Sequence, residues 1–376
     1  METSFISATP FTCRFRFRIL ERASASLLRR WSPSPTPLCC FAADPQSVNT
    51  NRKMLIMGMG FVGQFFAHHL EQDGWEVSGT CTSAIKKKKL EAMGFDVHVF
   101  SSDDHDLDLR SILALGYATH MLVSVPPVAG LGDPVLYQHR HLLQSRLSRG
   151  NLQWLCYLSS TSVYGDCGGA WVNEDYPLNT LTESAKARLA AEEGWLDLGR
   201  SLGFSVQVMR LGGIYGPGRR FVYRVCYIFL MHFVLIALDT IVKQESLSPG
   251  QRMRETRQYT SRVHVADICQ ALQASINMPS SGKIYNIVDD DPTPRVEVFA
   301  FARTLVQKKW PDQIKRDPLL GDAESLIQKK ITRGEKRVRN DRMKNELGVS
   351  LLHPTYKSGL QSIIESMDCP IESMNA

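Results

Sequence analysis

The sequence predicts an α/β fold, a doubly wound parallel sheet with helices on its faces and one small added subdomain. Three observations predict it. Four apolar residues, Met54-Leu-Ile-Met57, run straight into Gly58, Gly60 and Gly63, where a strand should end and a helix begin. Strand, helix, strand, helix and strand then fit into about 47 residues, 54–100, and that alternation argues for a parallel sheet. At 376 residues the chain is long enough for a large core with one further subdomain.

The elements follow in order. Gly58 allows the tight turn out of the first strand. Gly60 lacks a Cβ, so a pyrophosphate can approach the backbone, and Gly63 lets the helix pack close on the strand. The helix N-terminus offers free N–H groups and a positive dipole end to the phosphate. Phe61 and Val62 therefore join the three glycines as candidate cofactor-binding residues. Val62, Phe65, Phe66, Ala67 and Leu70 give residues 61–72 one apolar face, and Gly74 closes the helix. Residues 75–80 read as a second strand. Ser83 N-caps a helix that runs through Lys86–Lys89, Leu90 and Met93 to Gly94. Val97, Val99 and Phe100 make a third strand.

Residues 120–125 form a fourth strand, stopped by Pro126-Pro127, with Ser124 at its carboxyl end as another candidate cofactor contact. A helix is expected over 133–147, a fifth strand over 155–158 and a helix over 183–196. A sixth strand covers 204–210. Farther on, 268–276 reads as a helix capped by Asp267. A turn at 289–294 leads to a helix over 296–308, and a final helix covers 357–366.

The second strand bears on the cofactor. A site that prefers NAD usually carries an acid about 20 residues beyond the glycine loop. Here that region is Thr80-Cys-Thr-Ser83, followed by Lys86-Lys-Lys-Lys89. The hydroxyls of Thr80, Thr82 and Ser83 and the nearby ammonium groups tolerate a 2′-phosphate, so NADP(H) is favoured over NAD(H). The alternative for the four lysines is a solvated helix face, which is what charge runs usually are.

Composition sets further bounds. The net charge is +6, and residues 1–44 hold six Arg against three acids. The remainder is only mildly basic and shows no basic stripe interleaved with aromatics, so nucleic acid is excluded as a partner. Residues 1–50 are rich in Ser, Thr, Arg and Pro and poor in acids, the composition of an organelle transit peptide. A chloroplast address is expected, with a mitochondrial one as the alternative. The nine Cys are scattered without a C-x-x-C pair, so no metal site is expected.

Several motifs occur in sequence order after the glycine loop. They are Ser159-Ser-Thr-Ser-Val-Tyr-Gly165, Met209-Arg-Leu-Gly-Gly-Ile-Tyr-Gly-Pro-Gly-Arg219, Arg262-Val-His-Val-Ala-Asp267 and Tyr285-Asn-Ile-Val-Asp-Asp290. Together they resemble the extended short-chain dehydrogenase/reductases, often labelled NAD-dependent epimerase/dehydratases. The segment Gly165-Asp-Cys-Gly-Gly-Ala-Trp-Val172 and the late Arg337-Val-Arg-Asn340 are similar to the atypical branch that contains the bacterial YeeZ protein and plastid relatives. The resemblance spans roughly 54–366. It implies a Rossmann domain with a small C-terminal substrate domain, a bound dinucleotide and a small-molecule substrate.

The resemblance also implies a Ser, a Tyr and a Lys as the acid–base set. The Tyr exchanges a proton with the substrate oxygen, the Lys lowers its pKa and holds the ribose, and the Ser bonds the same oxygen. Counting back from Gly165 puts the Ser at Ser160. The Tyr-x-x-x-Lys pair is missing. Taking Glu192 as the acid that follows the Lys puts Ser184 and Arg188 at the two positions; taking Lys186 as the Lys puts Thr182 at the other. Tyr164 or Tyr176 would have to substitute in space, and Arg188 would contact a ribose or phosphate. Arg210 reads as either an anion contact or half of an ion pair.

Residues 225–238 are fourteen residues, apolar except for one His, within an atypical insertion over 220–244. The run is short of the ~20 residues of a membrane span, so a membrane is disfavoured. Residues 51–219 are then the dinucleotide-binding domain, and 245–376 the remaining sheet elements plus the substrate subdomain. Two readings stand: an NADP(H)-dependent oxidoreductase or epimerase, or a dinucleotide-binding sensor or assembly protein without catalysis. A homodimer is compatible with both.

Overall fold

Seven parallel strands form the central sheet. The computed structural model describes residues 52–100, 114–128, 130–148, 151–217, 259–311 and 335–367. In chain order the first half comprises β1 (Lys53–Met57), α1 (Phe61–Gln72), β2 (Glu76–Cys81), α2 (Ala84–Ala92), β3 (Asp96–Val99), α3 (Ala114–Tyr117), β4 (His120–Val123), α4 (Pro134–Leu147) and β5 (Trp154–Ser160). There follow β6 (Trp171–Val172), α5 (Glu183–Leu202), β7 (Ser205–Leu211), β8 (Gly213–Tyr215), β9 (Arg262–His264), α6 (Val265–Asn277), β10 (Ile284–Ile287), α7 (Arg295–Lys309), β11 (Arg337–Val338), α8 (Asp341–Leu347) and α9 (Tyr356–Ser366).

The sheet order is β10-β7-β5-β4-β1-β2-β3. The chain moves outward from β1 to β3, then returns to β4 on the other side of β1. That reversal places a crevice beyond the carboxyl ends of β1 and β4, where open α/β sheets bind ligands. Both faces of the sheet are covered, which is why its strands read as nearly continuous apolar runs. Met54 and Ile56 pack toward α1 and α6, while Leu55 and Met57 pack toward α4 and α5, following the two-residue period of a strand.

Two small parallel pairs lie outside the sheet, β6 with β11 and β8 with β9. A separate apolar cluster joins α7 and α9 through Val298, Ala302, Val306, Leu360 and Ile363. The segment between them returns to the main core, since Met343 and Leu347 of α8 pack there.

Every helix and strand expected over the described residues is present, with shifted ends. α5 continues past 196 to Leu202, and Gly203 closes it in the left-handed region at φ 76°. Asp267 is not a helix cap. β9 turns directly into α6, so His264 takes the cap position and its Nδ1 accepts the Ala266 N–H. The Asp267 carboxylate instead accepts the Leu352 N–H at 2.6 Å and the His353 N–H at 3.3 Å, tying the C-terminal segment to the core. The leader 1–50 and the apolar insertion lie outside the described residues. Among the described residues no helix is long and apolar enough to cross a membrane.

Candidate functional site

The crevice between β1 and β4 is built around three glycines with three different constraints. Gly58 has φ 98°, and a Cβ there would meet the Ser124 carbonyl carbon at 3.2 Å. Gly63 allows no Cβ either: one would lie 2.6 Å from the Gly58 carbonyl oxygen. Gly60 differs, because its nearest neighbour would be 3.9 Å away. Its open face is the one a pyrophosphate needs, beside the N-terminus of α1, whose positive dipole end favours an anion. Ser124 donates its N–H to the Met57 carbonyl at 2.8 Å, which holds the two strand ends together. Gln64 braces the loop by donating to the carbonyls of Met59 (3.1 Å) and Gly60 (2.9 Å). The residues present therefore fit the phosphates of a dinucleotide.

Not every candidate contact is available through its side chain. Val62 is buried in the core, so it offers backbone alone. Phe61 is half-buried and rests on Phe65, with ring centroids 5.0 Å apart. Thr80 is 1% exposed, and its Oγ1 accepts the Gly58 N–H at 2.9 Å. Its hydroxyl is committed to the loop and is not open to a 2′-phosphate. Thr82 and Ser83 are exposed beyond β2. Ser83 Oγ accepts the Lys86 N–H at 3.3 Å, the cap expected of it. Lys87 pairs with Glu91 at 3.6 Å on the solvent side.

Ser160 stands at the carboxyl end of β5, partly exposed, and its Oγ accepts the Ser162 N–H at 3.2 Å. The single turn it caps, Thr161–Tyr164, carries Tyr164 inward. The Tyr164 hydroxyl donates to Asn286 Oδ1 at 2.7 Å and accepts from Arg210 Nη1 at 3.0 Å. The residue is 0% exposed, and burial pushes its pKa up. Tyr164 is therefore a core hydrogen-bonding group, and the expectation that it substitutes for the missing phenol is wrong. Tyr176 packs on the cluster of Val163, Tyr164 and Val172. Among the described residues no tyrosine hydroxyl hydrogen-bonds Ser160.

Of the two helix registers, the one with Thr182 and Lys186 is spent on structure. Thr182 caps α5 by accepting the Ala185 N–H, and Lys186 pairs with Glu183 at 2.9 Å in solvent. In the other register Ser184 is exposed, and Arg188 is half-buried with its Nε buried and without a hydrogen-bond partner.

Arg210 resolves as half of an ion pair. Its Nη2 meets Glu192 Oε2 at 2.8 Å with both side chains at most 2% exposed, and Ser159 Oγ also donates to Glu192. Ser159, the pair, Tyr164 and Asn286 thus link β5 and the turn after it to α5, β7 and β10. Sequence reasoning placed Glu192 only as a spacing marker. An Arg inside an apolar strand was the signal that a buried acid must face it.

A model of the NAD dependent epimerase/dehydratase family matches residues 54–288. The protein YeeZ of Escherichia coli strain K12 is 28% identical over 244 residues, covering 63% of this chain and 77% of that protein. A conserved protein of unknown function from Silicibacter pomeroyi is 31% identical, with a TM-score of 0.60 over 85% of this chain and all of its own. UDP-glucuronic acid 4-epimerase from Bacillus cereus, solved with NAD, shares 14% identity and the fold, with a TM-score of 0.57 over 84% of this chain and 96% of its own.

Proposed function

Because this chain belongs to the NAD dependent epimerase/dehydratase family, we propose that it binds NADP(H) at the Gly58–Gly63 loop and acts through that binding, as a dinucleotide-dependent sensor or assembly protein. The observation that carries this reading is the fate of the phenol. Tyr164 is committed to Asn286 and Arg210, and the helix positions that would hold Tyr and Lys are Ser184 and Arg188. Serine and guanidinium groups do not supply an acid near neutral pH. The NADP(H) preference rests on Thr82, Ser83 and Lys86 at the end of β2, where an acid would repel a 2′-phosphate. Fluorescence titration is expected to show NADPH binding at least about tenfold tighter than NADH, the scale of one charge-assisted contact. Equal or tighter NADH binding overturns the preference.

One observation favours a second reading, an NADP(H)-dependent oxidoreductase or epimerase on a small molecule. Ser160 keeps a partly exposed hydroxyl at the carboxyl edge. NADPH oxidation with a panel of carbonyl substrates separates the two. The binding reading expects no turnover. The catalytic reading expects turnover that Ser160→Ala lowers by about a hundredfold.

The leader composition supports import into the chloroplast, tested by the location of a fluorescent fusion to residues 1–50.

A further inference from the structure

The end of β8 meets both the dinucleotide loop and the C-terminal helices. Tyr215, its last residue, is 2% exposed and belongs to the apolar cluster that joins α7 to α9. Its ring lies against the backbone of α9 at Gly359, where an added Cβ would meet ring carbons Cε2 and Cζ at 2.7 and 2.8 Å. Gly216 follows. A Cβ there would meet Val265 Cγ1 of α6 at 2.5 Å and Phe61 Cζ of α1 at 3.2 Å. Phe61 is the first residue of α1 and follows Gly60, the glycine left open to the pyrophosphate. Neither contact has room for one more methyl, and packing this close transmits displacement. Among the described residues β8 pairs only with β9 and stands outside the seven-stranded sheet, so the ladder of that sheet does not fix its position.

Tyr215 is also the one member of the α7–α9 cluster, among the described residues, that comes from outside the C-terminal third of the chain. β9 adds a tie on the same side: His264 meets Tyr215 edge-on with centroids 5.2 Å apart, and His353 at 4.2 Å. We propose that β8 couples the two sites: a dinucleotide seated at the glycine loop steadies Phe61, and through Gly216 and Tyr215 it steadies α7 and α9. A pyrophosphate bound at the start of α1 restrains its first turn. The Phe61 ring then has fewer positions from which to press on Gly216, and Tyr215 carries that restraint into the helix pair. Coupling of this kind passes through conformational entropy and needs no change of fold. Resting on the dinucleotide reading above, it makes the C-terminal helix pair the part of a sensor that changes when NADPH arrives.

Hydrogen exchange of the full chain, with and without saturating NADPH, tests it alongside the fluorescence titration that reports binding. The amides of α7 and α9 should slow about fivefold, the low end of coupling between sites, beyond any slowing in α8, which packs on the main core through Met343 and Leu347. Tyr215→Leu stays apolar but does not reach Gly359, and Gly359→Ala drives the ring away while favouring the helix. Each should bind NADPH within about fivefold of the parent, as reciprocity requires, and should lose the selective slowing. Tyr215→Phe keeps the ring and should retain it. Three results overturn the coupling and leave the binding reading intact. They are NADPH binding without slowing in α7 and α9, slowing shared equally by α8 as global stabilisation by any ligand gives, and selective slowing that survives Tyr215→Leu and Gly359→Ala. Absence of NADPH binding overturns both. The parent comparison decides even where a variant does not fold.

Discussion

The hydroxyl of Thr80 accepts the Gly58 N–H across 22 residues of sequence, and the glycine loop owes its shape to such contacts. Gly60 and Gly63 differ at this scale in a way their shared spacing hides. A Cβ at Gly60 meets nothing closer than 3.9 Å, whereas one at Gly63 strikes backbone at 2.6 Å. Gly60→Ala should therefore leave the urea unfolding midpoint unchanged and abolish NADPH binding, because the methyl occupies the path of the pyrophosphate. Gly63→Ala should lose NADPH binding and also about 1–3 kcal/mol of stability. Equal stability of the two variants would contradict this division of roles. The roles were legible in the sequence because each depends on the backbone within a few residues. The commitment of Thr80 was not, because its partner comes from another strand.

At the scale of elements, the Glu192–Arg210 pair decides how α5 sits on β5 and β7. Both side chains are at most 2% exposed, so each charge relies on the other. Glu192→Gln strands the guanidinium and should cost about 3–5 kcal/mol in urea unfolding. Adding Arg210→Met removes the stranded charge and should recover part of that loss. A double variant no more stable than the single one would show that the pair is not coupled. The existence of these elements was plain from periodicity and from the alternation of strands with helices. Their ends were less so: α5 gained a turn and a half because the Gly203 cap, not the paired charges before it, terminates the helix. Asp267 was misassigned for a related reason. A carboxylate two residues into a helix looks like a cap until the returning Leu352 and His353 amides are brought to it.

At the scale of the whole molecule, burial sets an acid response with two opposed parts. His120, 8% exposed, is wedged against Trp75 with Arg52 nearby, and burial first and Arg52 second push its pKa down to about 4. The unfolded chain takes up that proton near pH 6.5. Stability contributed by neutral His120 is therefore complete above pH 6.5 and is lost as the pH falls toward 4. Asp267 acts the other way: burial raises its pKa to about 6, so stability is gained as the pH falls from 6 toward 3.8. The His120 part is isolated by His120→Phe. The stability gap between parent and variant should shift in the variant's favour by up to about 3 kcal/mol between pH 7 and pH 4. A gap independent of pH would assign the acid response elsewhere.

The sequence by itself determined the fold class, the glycine loop and the absence of a Tyr-x-x-x-Lys pair. Each is written locally, as a spacing, a period or a residue type. Only the tertiary structure decided that Tyr164 turns inward to Asn286 and Arg210 and that Arg188 keeps an unmet donor. It also decided that Tyr215 meets α9 at Gly359 while Gly216 meets Phe61. Those facts depend on which side chains meet across strands distant in sequence. That meeting is set by packing and by the need to pair buried polar groups, which no local pattern records.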